Sequence, residues 1–145
     1  MTPQTRAEAA ARHMMASDAA SQCIGARIDA IGPDHATLSM RVRPDMLNGF
    51  GMCHGGFIFM LADSAFAFAC NAGNVTAVAQ SNQITYLSPG RASERLVAHA
   101  RQVAVSGRSG TYDVTVLGED GRTVALFRGL SRQLGKPIFN ETEAS

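Results

Sequence analysis

The chain of 145 residues sets 13 basic side chains against 12 acidic ones, a formal net charge of +1, and is 46% hydrophobic. One domain of that length buries a core without disulfides or metals, and so even a charge balance leaves no footprint for nucleic acid or an anionic membrane. Cys23, Cys53 and Cys70 are odd in number and form no CxxC pair. Neither a disulfide framework nor a structural metal site is expected from them, and a reducing, cytoplasmic setting is.

Met1 to Ala20 is alanine-rich but broken by Arg6, Glu8, Arg12, His13 and Asp18, so it lacks the apolar run of a signal peptide and predicts a surface helix. Ile24 to Ile31 reads as a strand closed by Gly32-Pro33-Asp34. Next, Ala36, Leu38, Met40 and Val42 alternate with Thr37, Ser39 and Arg41, the period of a strand with one buried face, and the two strands are expected to form a hairpin. Pro44 ends that run, and Asp45 to Cys53, with Gly49 and Gly51, is a loop. His54 to Asn71 has no proline and, besides Ile58, no β-branched residue; it is closed by Ala72-Gly73-Asn74 and predicts a helix. Its apolar residues occur all round, so most of its sides should be buried. The apolar stretch Phe57 to Ala72 is interrupted by Asp63 and Ser64 and falls short of the roughly 20 residues that span a bilayer. Four strands are predicted after it, Thr76 to Leu87, Arg95 to Val105, Gly110 to Leu117 and Arg122 to Gln133. Ser88-Pro89-Gly90, Ser106-Gly107-Arg108 and Glu119-Asp120-Gly121 separate them. The order predicts an α+β fold in which one antiparallel sheet wraps a single central helix. That domain is expected over residues 21–135, after an N-terminal helix over 1–20 and before a polar tail over 136–145 that frays.

Asp63 is the anomaly, a carboxylate among Met60, Leu61, Ala62, Ala65 and Phe66. Burying it is costly unless it is paired or neutralised. Either it lies on the one wet stripe of the helix or it is a catalytic acid or base, because perturbed carboxylates cluster at functional sites. His54-Gly55-Gly56 opens the helix, where unpaired N–H groups and the dipole suit a developing oxyanion and glycine lets a ligand approach the backbone. The same motif also serves simply to relieve crowding at a loop-to-helix junction. His54 and Asp63 are separated by roughly 13 Å of helical rise, too far for a carboxylate to serve its own helix N-terminus. A second copy with its central helix antiparallel closes that gap and places the site at a symmetric interface. Asn48 offers a positioning amide or an ordinary Asn-Gly turn. Cys53 beside His54 reads as packing rather than as a thiol nucleophile. His13, His35 and His99 have no ligand spacing, so no metal or cofactor is expected.

The run MLNGFGMCHGGFIFMLADSAFAFACN, residues 46 to 71, resembles the thioesterases of phenylacetate degradation, the PaaI branch of the hotdog superfamily. VAQSNQITYLSPG at 78 to 90 and VALFRGLSRQLG at 124 to 135 look like the same family's third and last strands, so the likeness covers about residues 20 to 135. The resemblance implies the hotdog fold and hydrolysis of an acyl-CoA thioester. By it, Asp63 stands at the catalytic aspartate's position, Asn48 and His54 match the motif's polar residues, and Gly55 matches the backbone N–H that polarises the thioester carbonyl. It implies dimers with shared active sites that pair into tetramers, CoA phosphates held by Ser106 to Gly110 with Arg108 and Ser109, and further substrate contacts at Gly56 and Asn82. Arg108 also reads as a solvated turn charge.

On this reading Asp63 is a general base toward water, or attacks directly to form an anhydride. Asn48 orients the water or the carboxylate, and His54 shapes the loop. Phenylacetyl-CoA or its hydroxylated relatives are the expected substrates, with an aryl pocket lined by Phe57, Phe66 or Phe68; medium-chain acyl-CoA is the alternative. A hydratase, whose motifs are not evident, and a noncatalytic acyl-CoA-binding domain are the rival functions.

Overall fold

A computed structural model describes residues 1–143. In chain order the elements are α1 (Pro3–Ser17), α2 (Ala19–Cys23), β1 (Arg27–Gly32), β2 (His35–Arg41), a single 3-10 turn (Pro44–Met46), α3 (Gly55–Cys70), β3 (Ala77–Tyr86), β4 (Arg95–Ser106), β5 (Ser109–Leu117) and β6 (Thr123–Gln133). The six strands form one antiparallel sheet in the order β1-β2-β4-β5-β6-β3, and α3 packs against it. The expected hairpin of the first two strands is present, with Gly32 opposite His35.

Alternation in the sequence becomes a buried face in the sheet. Ala36, Leu38, Met40 and Val42 are buried, as are Val114 and Val116 on β5 and Phe127 on β6. Against this face α3 buries Leu61, Ala62, Ala65, Phe66 and Phe68. Gly129 makes room for it, since a Cβ there would lie 2.8 Å from the Phe66 ring. Phe66 in turn meets Tyr112 and Phe127, at ring separations of 5.7 and 5.9 Å. Phe66 and Phe68 are therefore core residues, and neither lines an aryl pocket.

Two features depart from the sequence reading. The N-terminal helix breaks at Asp18, whose carboxylate accepts the Ser21 N–H at 2.9 Å and the Ser21 hydroxyl at 2.6 Å and so starts a second short helix. The end of the chain, expected to fray, is docked as far as the structure describes it. Phe139 is buried with Ala9 and Ala10 and stacks on His13 at 4.9 Å, Arg6 pairs with Glu141 at 2.6 Å, and Asn74 grips the tail's backbone. Apolar Ile138 and Phe139, set in a polar context, are what anchor it. Ala144 and Ser145 lie outside the described residues.

Glu94, buried before β4, accepts bonds from the Arg91 and Glu119 N–H groups and from the Arg122 guanidinium, tying two loops together. Burial opposes its ionisation, but these donors prevail and hold its carboxyl below the ordinary glutamate value. A group depressed on folding contributes stability above its unfolded pKa and loses it as pH falls through the folded one. Glu94→Gln, which leaves Arg122 without its buried counter-charge, is expected to cost about 3 kcal/mol in urea unfolding at neutral pH. The gap from wild type should narrow as the pH is taken below the ordinary glutamate range.

Candidate active site

The loop before α3 is fixed by backbone bonds from His54 to Met46 and from Cys53 to Gly90, both 2.8 Å. Within it, Asn48 Oδ1 accepts the Phe50 and Met52 N–H groups at 2.9 and 3.2 Å. The carbonyl half of the Asn48 amide is thus spent on the turn, and its NH2 is what it offers a ligand. His54 is the N-cap of α3, its Nδ1 accepting the Gly56 N–H at 2.9 Å. Hence His54 shapes the helix start, and Gly56, expected to meet substrate, has its N–H already engaged. The Phe57 N–H bonds to the His54 carbonyl at 3.0 Å, whereas the Gly55 N–H has no acceptor among the described residues.

Gly55 borders a cleft of about 330 Å³ with Asn48, Cys53, Ile58, Tyr86 and Pro89 on its walls. Tyr86, which no spacing in the sequence singles out, donates its hydroxyl to the Gly55 carbonyl at 2.9 Å. Its ring stands so close that a Cβ on Gly55 would lie 3.1 Å from it. Cys53 is buried, and that burial, with the nearby Glu94 charge, pushes its thiol up to about 11, so it stays protonated at neutral pH. The packing reading of Cys53 stands.

Asp63 lies further along the helix, half-buried on a less covered stripe with Met60 and Ala67. Burial raises its carboxyl above the ordinary aspartate value, and a hydrogen bond from Asn82 Nδ2 to Oδ1, 3.1 Å, works against that rise. The wet stripe and the perturbed carboxylate are one feature. Eight residues of continuous helix, about 12 Å, separate Asp63 from Gly55, so a single chain keeps the two apart. Arg108 and Ser109 are farther off: Arg108 is exposed in the turn at the end of β4 remote from Gly55, and Ser109 Oγ accepts from Arg132 at 3.4 Å. Of the three phenylalanines considered for an acyl pocket, only Phe57 is partly open. Among the described residues no group of three or more His, Cys, Asp or Glu side chains is placed to hold a metal ion, and no helix is long and apolar enough to cross a membrane.

The thioesterase superfamily matches residues 50–125. The acyl-coenzyme A thioesterase PaaI of Escherichia coli K12 is 40% identical over 131 residues, 90% of this chain and 94% of that one. A solved structure of the E. coli PaaI protein from the phenylacetic acid degradation operon superposes with a TM-score of 0.92 at 38% identity, covering 94% of this chain and 99% of that one. The TT0310 protein of Thermus thermophilus gives 0.75 at 41% identity, over 79% and 96%. Streptococcus mutans smu.793, solved with acetyl CoA bound, gives 0.74 at 26% identity, over 77% and 90%. A sheet wrapped round α3, a half-buried aspartate on that helix and an open N–H at its start accompany these likenesses along the chain, which belongs to the thioesterase superfamily and has its hotdog fold.

Proposed function

We propose that the protein hydrolyses acyl-CoA, with Asp63 as general base. The observation that carries this reading is the pairing, on one helix, of a carboxylate raised by burial with an N–H left open at the helix start. Asp63 takes a proton from water as the water attacks the thioester carbonyl. The Gly55 N–H, the helix dipole and the Asn48 amide receive the oxyanion, and collapse expels the CoA thiolate, which recovers the proton from Asp63. His54 holds the helix start in shape through Gly56.

The distance between Asp63 and Gly55 supports a site shared between two copies. Strand β3 is the last in the sheet, its outer edge has no partner strand among the described residues, and Val78 and Tyr86 on it are exposed. Such an edge is a template for a second strand. Antiparallel pairing of two β3 strands sets two α3 helices side by side, and two such dimers make a tetramer. E. coli PaaI, from the phenylacetic acid degradation operon, directs the substrate reading to phenylacetyl-CoA and its ring-hydroxylated relatives. The three free cysteines suit a cytoplasmic enzyme.

Release of free CoA thiol from a panel of aryl-acetyl, ring-hydroxylated and medium-chain acyl-CoAs tests the activity. Release from the aryl thioesters is expected, and binding without release would leave an acyl-CoA-binding domain instead. In the same assay Arg108→Ala is expected to raise KM for acyl-CoA and leave kcat within about threefold, since an exposed charge that meets phosphate aids binding rather than bond breaking. Added salt should raise the wild-type KM toward that of the variant. An unchanged KM would return Arg108 to the solvent and leave Ser109 without a CoA role beside it.

A further inference from the structure

Three asparagines are partly or wholly buried around α3 and the strand that follows it, and they are used differently. Asn71 satisfies both halves of its amide: Nδ2 donates to the Ala67 and Ala77 carbonyls at 2.8 and 3.1 Å, and Oδ1 accepts the Ala77 N–H at 2.8 Å. Asn74 does likewise, Nδ2 donating to the Phe139 carbonyl at 3.1 Å and Oδ1 accepting the Ile138 and Phe139 N–H groups at 2.9 and 3.1 Å. Both are staples of the backbone. Among the described residues the Asn82 side chain holds no backbone group; its one hydrogen bond goes to the Asp63 carboxylate, and its own Oδ1 is buried without a partner. Leaving a buried acceptor unpaired carries the full desolvation cost of that group, which a side chain selected for stability alone avoids.

We propose that Asn82 is the positioning residue of Asp63: its Nδ2 fixes Oδ1 of the carboxylate, leaving Oδ2 to face the attacking water. This rests on the reading of Asp63 as the base. Asn82 sits on β3 opposite Gly129 of β6, the position that also admits the Phe66 ring, so strand and helix are held at close range where the bond forms. The orientation of the amide follows from charge. An ionised carboxylate only accepts, so the amide must present Nδ2 to it, since the reverse orientation would set two acceptors against each other. The bond therefore favours the ionised form, the form a general base needs, against the burial that disfavours it. The other ionisable group coupled to Asp63 is Cys70 on the same helix, whose thiol burial pushes up to about 12, so it carries no charge near neutral pH.

The test is Asn82→Ala, followed by kcat/KM across pH, melting temperature and oligomeric state. The expected result is a fall in kcat of about tenfold to a hundredfold, the range for a hydrogen bond to a charged group, with KM little changed. The acid limb of the pH profile should move to higher pH, because nothing then counters the effect of burial on Asp63. Asn82→Gln, which keeps the donor on a longer arm, should recover part of the rate and bring the limb back. A loss of activity with the limb unmoved, or one explained by a changed oligomer or melting temperature, would make Asn82 a structural or interface residue. Full activity of Asp63→Asn in parallel would overturn the base reading itself, independently of Asn82.

Discussion

Asp63→Asn is expected to lower kcat by at least about a hundredfold while melting no lower than wild type. The two side chains share a shape, and the asparagine still offers an oxygen to the Asn82 Nδ2, which now lies 3.1 Å from Asp63 Oδ1. What is lost is the capacity to accept a proton from water. Stability moves the other way for a stated reason. Burial raises the Asp63 carboxyl on folding, so the neutral form's contribution to stability is complete below the unfolded pKa and is lost as pH rises through the folded one. Where its carboxyl is ionised the wild type carries a half-buried charge that the variant does not, and thermal melting across pH should show the variant's advantage growing above the ordinary aspartate range. Activity within a few-fold of wild type would remove Asp63 from the chemistry.

The second large effect is recovery of activity on mixing. In a shared site, Asp63 of one subunit works with Asn48 and Gly55 of the other, so Asp63→Asn and Asn48→Ala homo-oligomers are both impaired. A heterodimer of the two places both substitutions in one site and leaves the other wild type. Random pairing makes about half of the dimers mixed. Co-expressed subunits should therefore recover about a quarter of wild-type activity, and differentially tagged, purified mixed oligomers about half. Absence of recovery in folded, verified mixed oligomers would place the site within one chain.

Much of this molecule is legible in its sequence because two signals are strong. Alternation in Ala36 to Val42 marked a buried sheet face, turn residues set off the four later strands, and the proline-free run from His54 to Asn71 marked α3. A carboxylate in that run stood out against the cost of burying it. Contacts between segments distant in sequence were not legible. Nothing local ties Tyr86 to Gly55 or Asn82 to Asp63, since both pairs depend on where β3 lies beside α3. Asp18 reads as one more charge in an alanine-rich helix until its carboxylate is seen capping Ser21. Ile138 and Phe139 are too few to give a periodicity, so their docking on α1 carried no signature.

In the shared-site dimer proposed above, the open edge of β3 would also make catalytic output depend on how much protein is present. Ten residues of strand without a proline or a lysine lack the usual guards against adhesion, so a lone subunit has a choice between its proper mate and any other extended chain. Specific activity should fall on dilution below the dissociation constant and return on reconcentration. For such a dimer, subunits released during synthesis would be safest when mates are abundant, which would link the yield of working enzyme to its rate of expression.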